Sequence, residues 1–201
     1  MASPANDGED RRHRILEAAV AVFARDGRHA ARIQDIADAA GVAYGLVYHY
    51  FGTKDALLQT IYDDNWRLFA DVAEAVAARP DPPAERVRAI VDYALGALHA
   101  FPDRVRIIIL EYGRSAGLSD PTSHPDVARV LAAVTRILKD ASDAGTLDPS
   151  ADPDTLAWLW MGTLEAAVAT TSLSDDHRPD AETLRRTVHA VVAAPLRPTE
   201  S

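Results

Sequence analysis

Apolar residues recur along this chain at the spacing of helices. Ile15, Leu16, Ala19, Val22 and Phe23 fall at i, i+1, i+4, i+7 and i+8, one face of a first helix. Asp26-Gly27 ends it, because glycine takes the left-handed conformation that closes a helix. A short second helix sets Ile33, Ile36, Ala37 and Ala40 on one side and stops at Gly41. A third, from about Tyr44 to Tyr50, turns Val47 toward the same core and breaks at Phe51-Gly52. Thr53 then caps a long fourth helix, with Asp55 in its first turn near the positive end of the helix dipole.

Proline and glycine punctuate the rest. In the break from Arg79 to Pro83, Asp81 reads as an N-cap and Pro82 as the first helical position. Helical patterns run from about Pro83 to Phe101 and from Asp103 to Gly113. A loop with Gly117, Pro121 and Pro125 precedes a helix that ends at Gly145. Asp152-Pro153-Asp154 starts a very apolar helix reaching about Ser172, and Pro179-Asp180 starts a last one through Ala194. No strand-like alternation lasts long enough for a sheet, and both chain ends read as disordered. The predicted fold class is all-α.

Composition narrows the function. A chain of 201 residues with 48% hydrophobic and 25% charged residues buries a core without staples. The absence of cysteine excludes disulfides, thiol nucleophiles and zinc-finger sites. No segment approaches the ~20 apolar residues that span a bilayer, and the polar stretch Met1 to Asp10 lacks a signal peptide's apolar core. A cytoplasmic protein with no membrane partner is expected. The net charge of −9 is unevenly spread: from Arg11 to Lys54 there are seven Lys or Arg against four Asp or Glu. From Ile61 onward there are fourteen against twenty-two. A mildly basic head on an acidic body suits a polyanion held at one end.

The stretch from Arg32 to Phe51 has the makings of a helix-turn-helix. Two short helices that cross steeply need a small residue where they meet, which Ala37 supplies, and a turn with positive φ, which Gly41 supplies. Ile36, Val42 and Val47 form the wedge between them. The second helix then has its N-terminus free to enter a DNA major groove.

Phe23, Gly27, Ile36-Ala37, Ala40-Gly41-Val42, Gly45, Tyr48, Tyr50-Phe51, Lys54 and Leu57 give the segment from Ile15 to Leu58 a resemblance to the TetR family of regulators. The run Tyr48-x-Tyr50-Phe51-x-x-Lys54 is the most distinctive part. The resemblance implies a three-helix helix-turn-helix DNA-binding head, placed at residues 10–56. A long helix joins it to an all-helical ligand-binding and dimerisation body at 57–196. Tyr44, Gly45 and Leu46 open the recognition helix and face base edges. Tyr48, His49 and Lys54 reach phosphates, as matching positions do in the family. Arg32, Gln34, Ala43 and Thr53, at or near helix starts, complete the expected DNA contacts. The chain departs from the family at Ala31-Arg32 and Ala43, where polar capping residues are usual.

The body implied by the resemblance binds an effector and dimerises. Trp66, Phe69, Tyr93, Ile108, Glu111, Tyr112, Trp158 and Met161 are the expected effector-binding residues, an aromatic and aliphatic set that suits a mostly apolar small molecule. Leu156, Trp160, Leu164, Leu184, Val188 and Val191 are the expected dimer interface, from which a homodimer on double-stranded operator DNA follows. A repressor is the default, and a ligand-independent DNA binder is the alternative. An enzyme is not expected: no nucleophile elbow, P-loop, dinucleotide fingerprint or metalloprotease helix is present. Asp175-Asp176-His177 reads as a solvated turn rather than a metal site, and no cofactor is expected.

Overall fold

The computed structural model of the chain describes residues 4–105, 107, 124–170 and 179–196, with side chains from residue 8 onward. Among them are eight helices: α1 Pro4–Ala30, α2 Ile33–Ala40, α3 Tyr44–Phe51, α4 Lys54–Ala77, α5 Pro83–Ala100, α6 Pro125–Asp143, α7 Pro153–Ala169 and α8 Ala181–Ala193. The expected helix between Asp103 and Gly113 falls largely outside the described residues, as does Asp175-Asp176-His177. No three-residue cluster of His, Asp or Glu placed to hold a metal occurs among the described residues.

The apolar faces sort into two cores. One gathers Ile15, Val22, Phe23, Ile36, Ala37, Val47 and Phe51 with Leu57, Leu58 and Ile61. The other runs from Tyr62 and Trp66 through Ile90, Val91, Val134 and Ile137 to Trp160, Leu164 and Val188. The head's core therefore continues past residue 56 into the first two turns of α4, which serves both units. Ile107, 3% exposed, also packs into the head's core, and Arg104 pairs with Glu17 of α1. These two contacts join the segment after α5 directly to the head.

Three local expectations are corrected. Helix α5 takes Pro82 as N-cap and starts at Pro83, one residue later than Asp81-Pro82 suggests. Pro125 opens α6 rather than closing the preceding loop, with His124 as N-cap. Residues 4–10 extend α1 instead of fraying, and the Tyr50 hydroxyl holds that extension by donating to the Gly8 carbonyl at 3.2 Å. Thr53 caps α4 as expected, and Asp152 and Asp180, at the expected helix starts, also accept from an amide in the first turn. An isolated bridge between Leu147 and Leu196 pins the segment after α8 to the α6–α7 loop.

Two arginines fasten the body. Arg86, 6% exposed, donates from Nη1 to the Ala77 carbonyl and to Asp140, each at 2.8 Å, tying α4, α5 and α6 together. Arg129 forks onto Glu74 and reaches Asp71 and Asp126, and those carboxylates raise its pKa further. The centre of α6 is apolar and closed, with Ile137 fully buried. Ile137→Ala is expected to cost about 2–4 kcal/mol of unfolding free energy by denaturant titration, from lost transfer and a residual cavity.

Candidate nucleic-acid interface

The turn between α2 and α3 is built as its residues dictate. Gly41 sits at φ 64° and ψ 40°, and the Val42 amide donates to the Ala37 carbonyl at 3.0 Å, closing α2. Ala37 and Ile36 are fully buried at the crossing, with Val47 1% exposed beneath α3. Neither α2 nor α3 has a capping side chain at its start, where Arg32 and Ala43 stand. Their first amides are left for an outside acceptor, and a phosphate oxygen suits the positive end of a helix.

Outward from this platform stand Tyr44, Gly45, Tyr48 and His49, all exposed, with Leu46 half-buried. The Tyr44 hydroxyl donates to that of Tyr48 at 3.2 Å, with ring centroids 5.1 Å apart. That hydrogen bond, then burial, raises the Tyr44 pKa. Gln34 is exposed, but its amide donates to Asp38 at 2.7 Å. Gly45 has no internal reason to be glycine: a Cβ there would meet nothing within 4 Å, and its φ is not positive.

Lys54 does something the sequence does not announce. Its ammonium turns back into the protein and donates to the carbonyls of Arg28, Ala31 and His29 at 2.6, 2.9 and 3.4 Å. All three of its protons are engaged, at the carbonyl end of α1 where helix acceptors are unpaired and the dipole is negative. The expected phosphate contact of Lys54 would have to be made from this inward position, in competition with the three carbonyls. Lys54 is a clasp between α1 and α4. Thr53 is likewise occupied, capping α4 through the Ala56 amide at 3.0 Å. Arg28, placed by the same turn, pairs with Asp55 at 3.2 Å.

In the body, Trp66, Phe69 and Tyr93 do come together. Trp66 and Phe69 lie 6.0 Å apart, and Phe69 stacks on Tyr93 at 6.0 Å and 14°. Tyr62 continues the row at 6.2 Å from Trp66, and burial raises the Tyr93 pKa. Met161 is buried in the body's core. Trp158 does not join them: it is 43% exposed and lines an open groove of about 560 Å³ between α6 and α7. Ile108, Glu111 and Tyr112 lie outside the described residues.

The six residues of the expected dimer stripe differ in burial within the protomer. Trp160, Leu164 and Val188 are 4–5% exposed and belong to the protomer's own core, while Leu156 and Leu184 pack against it half-buried. Of the six, Val191 alone is exposed. The outer side of α7 presents Trp158, Leu159, Gly162, Ala166 and Ala169, and that of α8 presents Ala190 and Val191, followed by Ala194 at its C-cap.

The family described as "Bacterial regulatory proteins, tetR family" matches residues 15–61, and "Tetracyclin repressor-like, C-terminal domain" matches 111–187. The HTH-type transcriptional repressor SCO4008 of Streptomyces coelicolor is 32% identical over 159 residues, covering 77% of each chain. The chain belongs to the TetR family. Like the family, it is a DNA-binding transcriptional regulator. Its fold is similar to that of FadR from Bacillus subtilis in complex with stearoyl-CoA, with a TM-score of 0.74 and 21% identity over 92% of this chain and 99% of that one. AibR, solved with isovaleryl coenzyme A and operator DNA, gives 0.72 and 23% over 92% and 100%. In the described residues of this TetR-family chain, no helix is long and apolar enough to cross a membrane.

Two variants separate contact from support. Lys54→Ala is expected to lower the stability of the head by on the order of 2 kcal/mol, the loss of charged hydrogen bonds to carbonyls that stay unpaired. The slope of DNA affinity against salt concentration reads the other role: an unchanged slope leaves Lys54 a clasp alone, and a slope flatter by about one unit gives it a phosphate contact as well. Gly45→Ala should act with opposite signs. It stabilises α3 by about 0.5–1 kcal/mol in thermal or denaturant unfolding. If Gly45 faces base edges, the substitution should also weaken binding to the DNA site the protein selects, about tenfold or more, an effect of ~1.4 kcal/mol.

Proposed function

We propose that this chain is a one-component repressor, acting as a homodimer on a palindromic operator and released by a small, mostly apolar effector, with no catalytic role. The observation that carries the reading is the uncapped, outward-facing start of α3 on a rigid three-helix platform. One such helix gives little affinity alone, and two related by a twofold axis fit half-sites one DNA turn apart, ~34–36 Å. Tyr44, Gly45 and Leu46 face base edges in this reading, while Tyr48, His49, Arg32 and the free amides at Ala43 meet the backbone. The uneven charge favours it, with the basic residues on the end that meets DNA.

The dimer face we propose is the outer side of α7 and α8. Gly162, in mid-helix, has open space where a Cβ would stand, so the protomer itself does not call for glycine there. A second helix lying close across Gly162 and Ala166 would. Leu159→Glu and Val191→Glu should each yield a folded monomer in sedimentation, with operator affinity lost. Leu164→Glu should unfold the protomer instead, because its carboxylate would be buried in the core at several kcal/mol. A wild-type monomer at micromolar concentration would contradict the dimer.

The effector site we propose is built on the row Trp66, Phe69 and Tyr93. Its apolar rings suit an aliphatic or aromatic body, and acyl-CoA thioesters are the first compounds to test, given what the two structural neighbours bind. A compound that raises the melting temperature should weaken operator affinity by roughly 5–150-fold, and operator should weaken its binding by the same factor. Compounds that bind while leaving operator affinity unchanged would favour the ligand-independent DNA binder.

A further inference from the structure

The outward face of α3 holds an unusual inventory for a reading helix. Its sequence, Tyr-Gly-Leu-Val-Tyr-His-Tyr-Phe, contains no Arg, Lys, Asn, Gln, Asp or Glu. Those are the residues that pair with base edges by fixed hydrogen bonds. Val47 and Phe51 are buried and mark the inner side of the helix. At 3.6 residues per turn, Gly45 and His49 then lie opposite them, with Tyr44 and Tyr48 on one flank and Leu46 on the other. At the entering end, the surface is a bare backbone position between an aromatic ring and a branched aliphatic side chain. The one side-chain polar group of that trio, the Tyr44 hydroxyl, already donates to Tyr48. From α2, the Gln34 amide is already turned onto Asp38.

Resting on the assignment of α3 as the DNA-reading helix, we propose that this head selects its site through the C5-methyl groups of thymines, received by Leu46 and the Tyr44 ring on either side of Gly45. In the major groove, thymine is the base that offers an apolar group where the others offer donors or acceptors. An apolar cradle gains from a methyl and gains nothing from a bare polar edge. Gly45 lets the helix seat deeply enough for both flanks to touch, which accounts for a helical glycine that nothing inside the protein requires.

The test uses the full-length wild-type protein and the duplex it selects from a random library. Each thymine of a half-site is replaced in turn by uracil, which removes the methyl and leaves the hydrogen-bonding edge unchanged. At one or two positions per half-site, affinity should fall about fourfold or more, the effect of one unburied methyl at ~0.8 kcal/mol. At those positions, 5-methylcytosine should bind more tightly than cytosine by a similar factor. In Leu46→Ala, one of the uracil effects should vanish. A selected site that tolerates uracil at every thymine, with selectivity intact, would overturn this proposal alone. Failure to select any sequence would overturn the DNA-reading assignment itself.

Discussion

The Lys54 ammonium, set against the carbonyl end of α1, decides how the rest of the molecule works. Three backbone acceptors from Arg28, His29 and Ala31 meet one cation on the first residue of α4. Gly27, at φ 70° and ψ 165°, breaks α1 just before that point, so the final turn would otherwise end with unpaired carbonyls. The clasp satisfies them and fixes the direction in which α4 leaves the head. Leu57, Leu58 and Ile61 then bury the first turns of α4 in the head's own core. The first turns of α4 and the buried side of α3 therefore share one core.

The route from body to head has a second strand. Ile107 is buried among the head's residues, and Arg104 pairs with Glu17. The aromatic row on α4 and α5 lies on one side of this joint and the reading helix on the other. In the proposed switch, a ligand that shifted α4 against α5 would strain both contacts at once. Coupling of that kind needs no large rearrangement, since two recognition helices on rigid DNA tolerate little change in spacing.

Much of the head was legible in the sequence because its constraints are local. A small residue at a helix crossing and a glycine at positive φ leave few alternatives, and Ala37 and Gly41 stand where both require. Thr53 was legible as a cap, and Asp152 and Asp180 as residues at helix starts, for the same reason. What could not be read depended on tertiary direction. A lysine one residue after a cap looks the same whether it reaches out to phosphate or back to a carbonyl. Helix α7 is apolar nearly all round, so its periodicity does not say which side meets its own core. Trp160 and Leu164 point inward while Trp158 and Leu159 point outward, a difference the apolar pattern does not carry. The outward glycine at 162 is the one signal that could have been weighed for that face.

The claim on which the account turns is that the head and the first two turns of α4 form one body. Native-state hydrogen exchange on the full-length protein tests it most directly. The amides of Ile36, Val47 and Leu57 should open together with a single free energy and a single denaturant dependence. That opening should be distinct from the one governing Val134 and Ile137 in α6. A Leu57 amide that exchanges with α6, while Ile36 and Val47 open independently of it, would contradict the account.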